Sequence, residues 1–527
     1  MLRVIRFFEE WAGLWLLLIL IPIVSRTLIQ IDETRYVTVA WEMWVQGNWL
    51  VPHLNGEAYH HKPPLLFWLI NLGWTVFGVN EWWPRLIPGL FSLGNLFLSA
   101  YIAHILWPKQ PRIARWVPFI LLSSFLWCIF TGVTMFDMLL TFFNLLGIIA
   151  ILQRRWGLLG IAIGLGVLAK GPVILLNLLP IALLAPWWSN IQSYTKYYLS
   201  LIISIIIGAL IALTWAIPAG ILGGEEYQQA IFFGQTANRL VNSFAHQQPI
   251  WWYLVWLPIA LFPLSFWLPA WRSLLQLPKH WDNKGVQFCL MWFVPVFIGF
   301  SLISGKQLHY LLPVLPALAL LIAYLLEKIT IPKHRRSATL PGLIIILLGI
   351  IFLIVPYLLS VTRLPSWVEN IPLPVSIALI VLGGILLGQQ SDKFKQRLLA
   401  LSTVTVLVSL IIPLTILRAG GQAYDLREIS NKINTLQQNG TTLAHFGNYY
   451  GEYHFLGRLQ QELKVIDEYD ICPWLTEHPD SKLIVYFKRD YQDLSKYADY
   501  VQAYRSKLVG IIDGYFLRSV CVKIMPL

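Results

Sequence analysis

Long apolar runs separated by short polar segments make up the chain as far as about residue 418. A helix needs about 20 mostly apolar residues to cross a bilayer, so this pattern predicts an all-α polytopic membrane protein with about thirteen transmembrane helices. The predicted spans are residues 11–30, 85–107, 113–131, 135–152, 156–169, 171–187, 199–220, 251–271, 286–304, 309–326, 340–361, 373–389 and 398–416. No internal repeat of fixed length is visible in the sequence.

The pattern changes after residue 418, where polar residues become frequent and the hydrophobic runs shorten. A helical stretch and three β-like runs lie at 425–437, 442–446, 482–487 and 509–518. We therefore predict a transmembrane domain over 1–418 and a small soluble α/β domain over 419–527. Cys472 and Cys521 both lie in the second domain, and the sequence leaves open whether they form a disulfide.

Composition and charge agree with this interpretation and add a direction. Hydrophobic residues make up 57% of the chain and charged residues 13%, a balance that excludes an ordinary soluble enzyme. With the N-terminus in the cytoplasm, cytoplasmic loops hold roughly twice as many Lys and Arg residues as exported loops, as the positive-inside rule requires. The net charge of +12 therefore reports topology, and no nucleic-acid partner is needed to explain it. We expect a multi-pass protein of the inner (plasma) membrane whose C-terminal domain is exported.

The first long exported loop, residues 31–84, contains an acidic pair, Asp32 and Glu33. Apolar residues at helical spacing over 36–44 and a Trp- and Phe-rich stretch over 65–78 predict two interfacial helices. Asp32 could simply cap the first of them. A cap leaves Glu33 unexplained, and carboxylates beside a membrane are costly, so the pair is a candidate for function.

Further polar side chains gather on the exported side. They are His61, Lys62, Asp137, Lys170, Arg239, His246, Lys306, His309 and Tyr310. The cations suit an anionic, phosphate-bearing ligand, whereas Asp137 and the Asp32-Glu33 pair suit a metal, a sugar hydroxyl or general-base work. Singly, a lysine at the surface could contact lipid headgroups. Together these residues predict one polar cavity open to the exported face.

Several common motifs are absent from the sequence: GxxxxGK[ST], HExxH, paired CxxC and a convincing GxSxG. ATP chemistry, a zinc protease of the HExxH type and a serine hydrolase with a nucleophile elbow are therefore not supported.

Blocks of this chain resemble, in order, the motifs of ArnT-like, dolichyl-phosphate-mannose-protein-mannosyltransferase-related glycosyltransferases. The blocks read DETRY at 32–36, GNWLVPHLNG at 47–56, YHHKPPL at 59–65, KGP at 170–172 and KQLHYLLP at 306–313. The resemblance implies the GT-C architecture of many transmembrane helices, interfacial helices and an exported C-terminal domain. It also implies inverting transfer of a hexosyl or pentosyl group from a polyprenyl-phosphate donor, without a nucleotide cofactor. The sugar and the oligomeric state stay open, as does the acceptor, whether a lipid A-like glycolipid, a polysaccharide or a protein.

The resemblance also assigns roles to individual residues. Asp32 matches the catalytic acid, Glu33 completes the acidic pair, and Asp137 matches a second outward acid. The donor phosphate is assigned to Lys62, Lys170, Arg239, Lys306, His309 and Tyr310. His246 resembles a metal-ligand position, and His61 replaces a residue that is often acidic in the family. A divalent metal (Zn²⁺, or Mg²⁺ or Mn²⁺) held by these histidines and the loss of that metal are both compatible with the sequence.

Two other classes of function compete with the transferase. A polytopic lipid or glycolipid transporter (a flippase) would show internal repeats and midplane polar residues in broken helices, whereas the polar residues here gather at one face. A noncatalytic surface-binding membrane protein would leave the Asp32-Glu33 pair unexplained.

Overall fold

The structure is a computed structural model of the whole chain. It describes residues 2–234, 247–329, 337–358, 368, 370–389, 391, 393–488 and 494–518.

The described chain is mostly helical up to residue 420. In chain order the α-helices are α1 Leu2–Ser25, α2 Asp32–Gln46, α3 Leu65–Phe77, α4 Trp82–Leu106, α5 Pro111–Leu122, α6 Phe125–Thr131, α7 Asp137–Gln153, α8 Trp156–Lys170, α9 Val173–Leu183, α10 Ala185–Trp188, α11 Tyr194–Gln229, α12 Trp252–Ala260, α13 Leu268–Leu274, α14 Lys284–Leu302, α15 Leu315–Glu327, α16 Thr339–Ile354, α17 Leu373–Gly388, α18 Phe394–Gly420, α19 Arg427–Gln438, α20 His454–Gly457 and α21 Ile471–Glu477. Each predicted span has a helical counterpart. Within the described ranges, six helices are long and apolar enough to cross a membrane. The polytopic all-α class is confirmed, and the count of thirteen spans stays a prediction.

Some predicted spans are broken into shorter helices. The span predicted at 113–131 is divided between α5 and α6, because the Ser124 hydroxyl accepts a hydrogen bond from the Trp127 N–H and begins a new helix. The same hydroxyl donates to the Ala260 carbonyl at 2.9 Å, at the end of α12. A local cap and a contact between helices therefore replace one continuous span with two pieces.

A five-stranded sheet follows the helical part. Its strands are β3 Leu443–Phe446, β4 Lys464–Ile466, β5 Lys482–Phe487, β6 Ala498–Tyr504 and β7 Lys507–Asp513. Earlier in the chain, β1 His53–Leu54 and β2 Glu57–Ala58 form a separate hairpin. The strand order is β4-β3-β5-β7-β6, with β3 parallel to both neighbours and β7 antiparallel to β5 and β6. The predicted small α/β domain is therefore present. Cys472 is disulfide-bonded, and Cys521 lies outside the described residues.

The two faces of this sheet bury different partners. One face packs against α21 around Leu483 and Ile512. The other face, which includes Ile484, joins a hydrophobic core that it shares with α2 and α3. In that shared core the rings of Trp74 and Phe455 stack with centroids 5.3 Å apart. The helix predicted to lie open on the membrane surface is thus covered by the C-terminal domain.

Hydrogen bonds reinforce this docking. The Thr38 hydroxyl donates to the Gly451 carbonyl at 2.7 Å, and Asn55 exchanges two hydrogen bonds of 2.9 Å with the backbone of Leu463. Gly451 has a φ of 79°, and a Cβ there would lie 2.9 Å from the Thr38 side chain. Glycine is therefore required both for the backbone conformation and for the close approach.

Candidate functional site

Asp32 is the first residue of α2, where the helix dipole favours a carboxylate. Its side chain is 49% exposed, and Arg35 Nη2 lies 2.5 Å from its Oδ1. The Tyr36 hydroxyl lies 3.4 Å from the same oxygen. Among the described residues, Oδ2 has no hydrogen-bond partner. Asp32 is therefore held by two neighbours and still offers one oxygen to a ligand.

Glu33, in contrast, is buried and fully occupied. Arg26 binds both of its carboxylate oxygens, at 2.5 and 3.0 Å, and the Ile29 and Thr134 backbone N–H groups donate at 2.7 and 2.6 Å. Burial alone would raise the pKa of this carboxyl, but Arg26 and the two N–H donors hold the pKa below its ordinary value. With four donors around it, Glu33 fastens the start of α2 to the segment before α7. This geometry favours a positioning role over the predicted catalytic one.

The structure brings four of the predicted site residues together at the ends of α7 and α8. Asp137 begins α7, and Lys170, the last residue of α8, lies 2.5 Å from its Oδ1. His309 Nε2 lies 3.9 Å from Asp137 Oδ2, and Lys170 Nζ lies 4.6 Å from the ring centroid of Tyr310. Asp137 Oδ2 is buried without a hydrogen-bond partner among the described residues. A buried carboxylate oxygen of this kind suits a ligand hydroxyl or a protonated group.

Phe136 joins this cluster to Asp32. Its ring contacts the Tyr36 ring, with centroids 4.8 Å apart, and Lys62 Nζ lies 5.8 Å from its centroid. The open carboxylate, the half-buried Lys62 and the Asp137–Lys170 pair therefore belong to one polar site.

Lys306 has a different environment from the other predicted cations. Its ammonium is buried and donates to the carbonyls of Gln248 and Ile303, at 2.9 and 2.5 Å. Two of its three N–H donors are thereby used to hold a loop. The geometry favours this anchoring role over the predicted contact with the donor phosphate.

The predicted metal site cannot be assembled from the described residues. His61 is exposed and packs against His60, with ring centroids 4.5 Å apart. His246 and Arg239 lie outside the described residues. Within the ranges that the structure describes, no group of three or more His, Cys, Asp and Glu side chains is placed to hold a metal ion. The metal at His61 and His246 stays a prediction.

Sequence reasoning missed Arg26, Arg35 and Phe136. Arg26 and Arg35 were counted only as charges in exported loops. Arg26 follows α1 directly and resembles the flanking charge of any transmembrane helix, so its buried ion pair with Glu33 had no signal in the sequence. Phe136 gave no signal, because an aromatic residue beside Asp137 is ordinary at a helix end.

Residues 12–225 match the family model of dolichyl-phosphate-mannose-protein mannosyltransferase. The chain is 30% identical over 369 residues to undecaprenyl phosphate-alpha-4-amino-4-deoxy-L-arabinose arabinosyl transferase 2 of Pseudomonas fluorescens, an alignment that covers 66% of this chain and 65% of that relative. The corresponding Pseudomonas aeruginosa transferase is 29% identical over 388 residues, covering 69% and 67%. The chain thus spans about two thirds of these relatives.

The fold is similar to solved structures over almost its whole length. ArnT from Cupriavidus metallidurans bound to undecaprenyl phosphate superposes with a TM-score of 0.72 at 18% identity, covering 96% of this chain and 97% of that one. Its apo state gives a TM-score of 0.73 at 17% identity, with the same coverage. At this identity the likeness establishes the fold.

Proposed function

We propose that the chain is a member of the family of ArnT-like, dolichyl-phosphate-mannose-protein-mannosyltransferase-related membrane glycosyltransferases and that it transfers a sugar from a polyprenyl-phosphate donor to an envelope acceptor; the family match, the relatives and the shared fold support this. The observation that carries this proposal is the open carboxylate of Asp32, which the Tyr36 and Phe136 rings link to Lys62 and to the Asp137–Lys170 pair. Such a transfer needs an acid that can orient or deprotonate the acceptor nucleophile, and it needs cations that can bind a phosphate.

The roles follow from where charge develops. As the bond between the anomeric carbon and the lipid phosphate breaks, the carbon becomes positive and the phosphate gains negative charge. Lys62, with Lys170 nearby, stabilises the departing phosphate. Asp32 orients the acceptor and takes a proton from its hydroxyl, and a single in-line displacement inverts the anomeric centre. A phosphate acceptor would need orientation alone, because it is already nucleophilic.

The same proposal includes location and partners. The chain is placed in the inner membrane with its N-terminus in the cytoplasm and Asp32 on the exported side, as the distribution of Lys and Arg indicates. The names of the relatives make a 4-amino-4-deoxy-L-arabinose donor on undecaprenyl phosphate the first to test, and a lipid A-like glycolipid the first acceptor. A metal at His61 and His246 is retained as part of the proposal. The gathering of charges at one end of α2, α7 and α8 argues against a transporter, whose polar residues lie at midplane.

The decisive variant is Asp32→Asn, assayed with the purified full chain in liposomes holding that donor and acceptor. Loss of the acid should lower the transfer rate at least about a hundredfold. The melting temperature should barely change, because an ion pair this exposed contributes little to stability. Glu57→Gln, which neutralises an exposed acid of the same loop, is the matched control. Transfer at the wild-type rate in Asp32→Asn would overturn the assignment.

A further inference from the structure

A second polar cavity lies at the end of the helical part where α1 ends and α4 begins. Its volume is about 740 Å³, within the usual range for small-molecule sites. The segment after α1 forms one wall, and the end of α18 with the first residues of the C-terminal domain forms the opposite wall. Arg26, the partner of Glu33, lines this cavity, whereas Asp32 and Lys62 are not among its lining residues.

Four arginines and three acids line the cavity. One of the four guanidinium groups has no partner among the described residues. Arg26 is occupied by Glu33, and Arg85 donates to the carbonyls of Pro22 and Arg26 at 3.2 and 2.5 Å. Arg418 is exposed, and its guanidinium forms no hydrogen bond or ion pair with any residue that the structure describes. A guanidinium inside a cavity without a protein partner is a ready site for an anion.

The position of Arg418 indicates where the anion comes from. Arg418 lies in the last turn of α18, a helix long and apolar enough to cross the membrane. A side chain at the end of a spanning helix is at the depth of lipid headgroups. Arg427, half exposed and 3.1 Å from Asp425, lines the same cavity. Glu81 and Glu428 also line the cavity, and Glu81 lies 3.8 Å from Arg85. The cavity therefore offers the Arg418 and Arg427 guanidinium groups to an anion and carboxylates to a hydroxyl or an ammonium.

We propose that this cavity binds the phosphate-ester headgroup of a membrane lipid, with Arg418 as the principal phosphate contact and Arg427 beside it. Asp425 accepts a hydrogen bond from the hydroxyl or ammonium group of the same headgroup. The site is separate from the donor-phosphate position near Lys62, and its occupation requires no transfer reaction. Lipid binding at this cavity can therefore be confirmed or refuted independently of the proposed function.

The test measures lipid binding to the purified full chain by native mass spectrometry. The probes are short-chain phosphatidylglycerol, short-chain phosphatidylethanolamine, dioctanoylglycerol as a lipid without phosphate, and inorganic phosphate. We expect both phospholipids to bind more tightly than dioctanoylglycerol, because only they present a phosphate to Arg418. Equal binding of dioctanoylglycerol would overturn the proposal, and inorganic phosphate binding as tightly as the phospholipids would overturn the assignment to a lipid.

A matched pair of variants assigns the binding to this cavity. Arg418→Gln should weaken both phospholipids at least about tenfold through the loss of charge-assisted hydrogen bonds. Lys464→Gln removes an exposed cation of the C-terminal domain outside the cavity and should leave binding unchanged. Both positions are exposed, so neither variant should unfold the protein. Unchanged phospholipid binding in Arg418→Gln, or equal weakening in both variants, would refute the site.

Discussion

Replacing Glu33 by Gln removes one charge from a buried ion pair while keeping the size of the side chain. The side chains of Arg26 and Glu33 are 6% and 1% exposed, so water cannot replace the lost charge. Removing one partner of such a pair costs about 3–5 kcal/mol. Arg26 keeps its hydrogen bonds to the carbonyls of Thr27 and Gly132, at 2.8 and 2.6 Å. We therefore expect the free energy of unfolding to fall by an amount at the lower end of that range, about 3 kcal/mol.

The assay compares unfolding of wild type and Glu33→Gln in detergent, with Glu57→Gln as an exposed control. Transfer is then measured well below the melting temperature of the variant. A positioning role predicts a clear loss of stability together with transfer that is reduced less than in Asp32→Asn. A variant as stable as wild type that no longer transfers sugar would refute this reasoning and make Glu33 catalytic.

The contribution of Glu33 also has a defined dependence on pH. The folded-state pKa of Glu33 is lower than its ordinary value of 4.5, so the unfolded state takes up the proton more readily than the folded state. The stabilisation is therefore fully present above the ordinary pKa and is lost as the pH falls through the folded-state pKa. The stability difference between wild type and Glu33→Gln should stay constant near neutral pH and narrow below pH 4.5.

Three further changes test the rest of the site. Lys62→Ala should raise the donor concentration needed for half-maximal transfer by about tenfold, because a charge-assisted phosphate contact is lost; an unchanged donor affinity would remove Lys62 from that role. Asp137→Asn should lower the free energy of unfolding by about 3–5 kcal/mol, because Lys170 is left buried and unpaired. The double variant with Lys170→Met should recover most of that stability without recovering transfer, and recovery of transfer would contradict a functional pair. Thr38→Val removes the hydroxyl that bonds Gly451 and should cost about 1 kcal/mol and speed proteolysis of the C-terminal domain; unaltered proteolysis would show that this bond does not hold the docking.

The fold could be predicted from the sequence largely because the bilayer imposes a length on apolar runs. Every predicted span has a helical counterpart for that reason. The division of the span at 113–131 could not be predicted, because it depends on what the Ser124 hydroxyl bonds in α12. Strands β4 and β6 were also missed. Strand β4 has three residues, and the pairing of β6 is irregular between Ala498 and Tyr500, so neither gives a clean alternating pattern.

The sequence predicts which residues belong to the site better than it predicts which of them contact each other. Exported charges on separate loops indicated a shared cavity, and the structure does bring Asp137, Lys170 and His309 together. The partner of Glu33 was not apparent, because Arg26 lies seven positions earlier and resembles any flanking charge of a transmembrane helix. Contacts of the C-terminal domain join residues some 400 positions apart, and no local pattern contains them.

The docking of the C-terminal domain on α2 has a consequence for biosynthesis. Helix α2 is translated some 400 residues before the residues that cover it. Until that domain has folded, the buried face of α2, with Trp41 and Met43, lacks its cover, and the segment that carries Asp32 is not yet fixed. In a nascent or truncated chain, the site around Asp32 would therefore be incomplete when the donor lipid reaches it. The chain would become competent for transfer only when the C-terminal domain has folded onto α2.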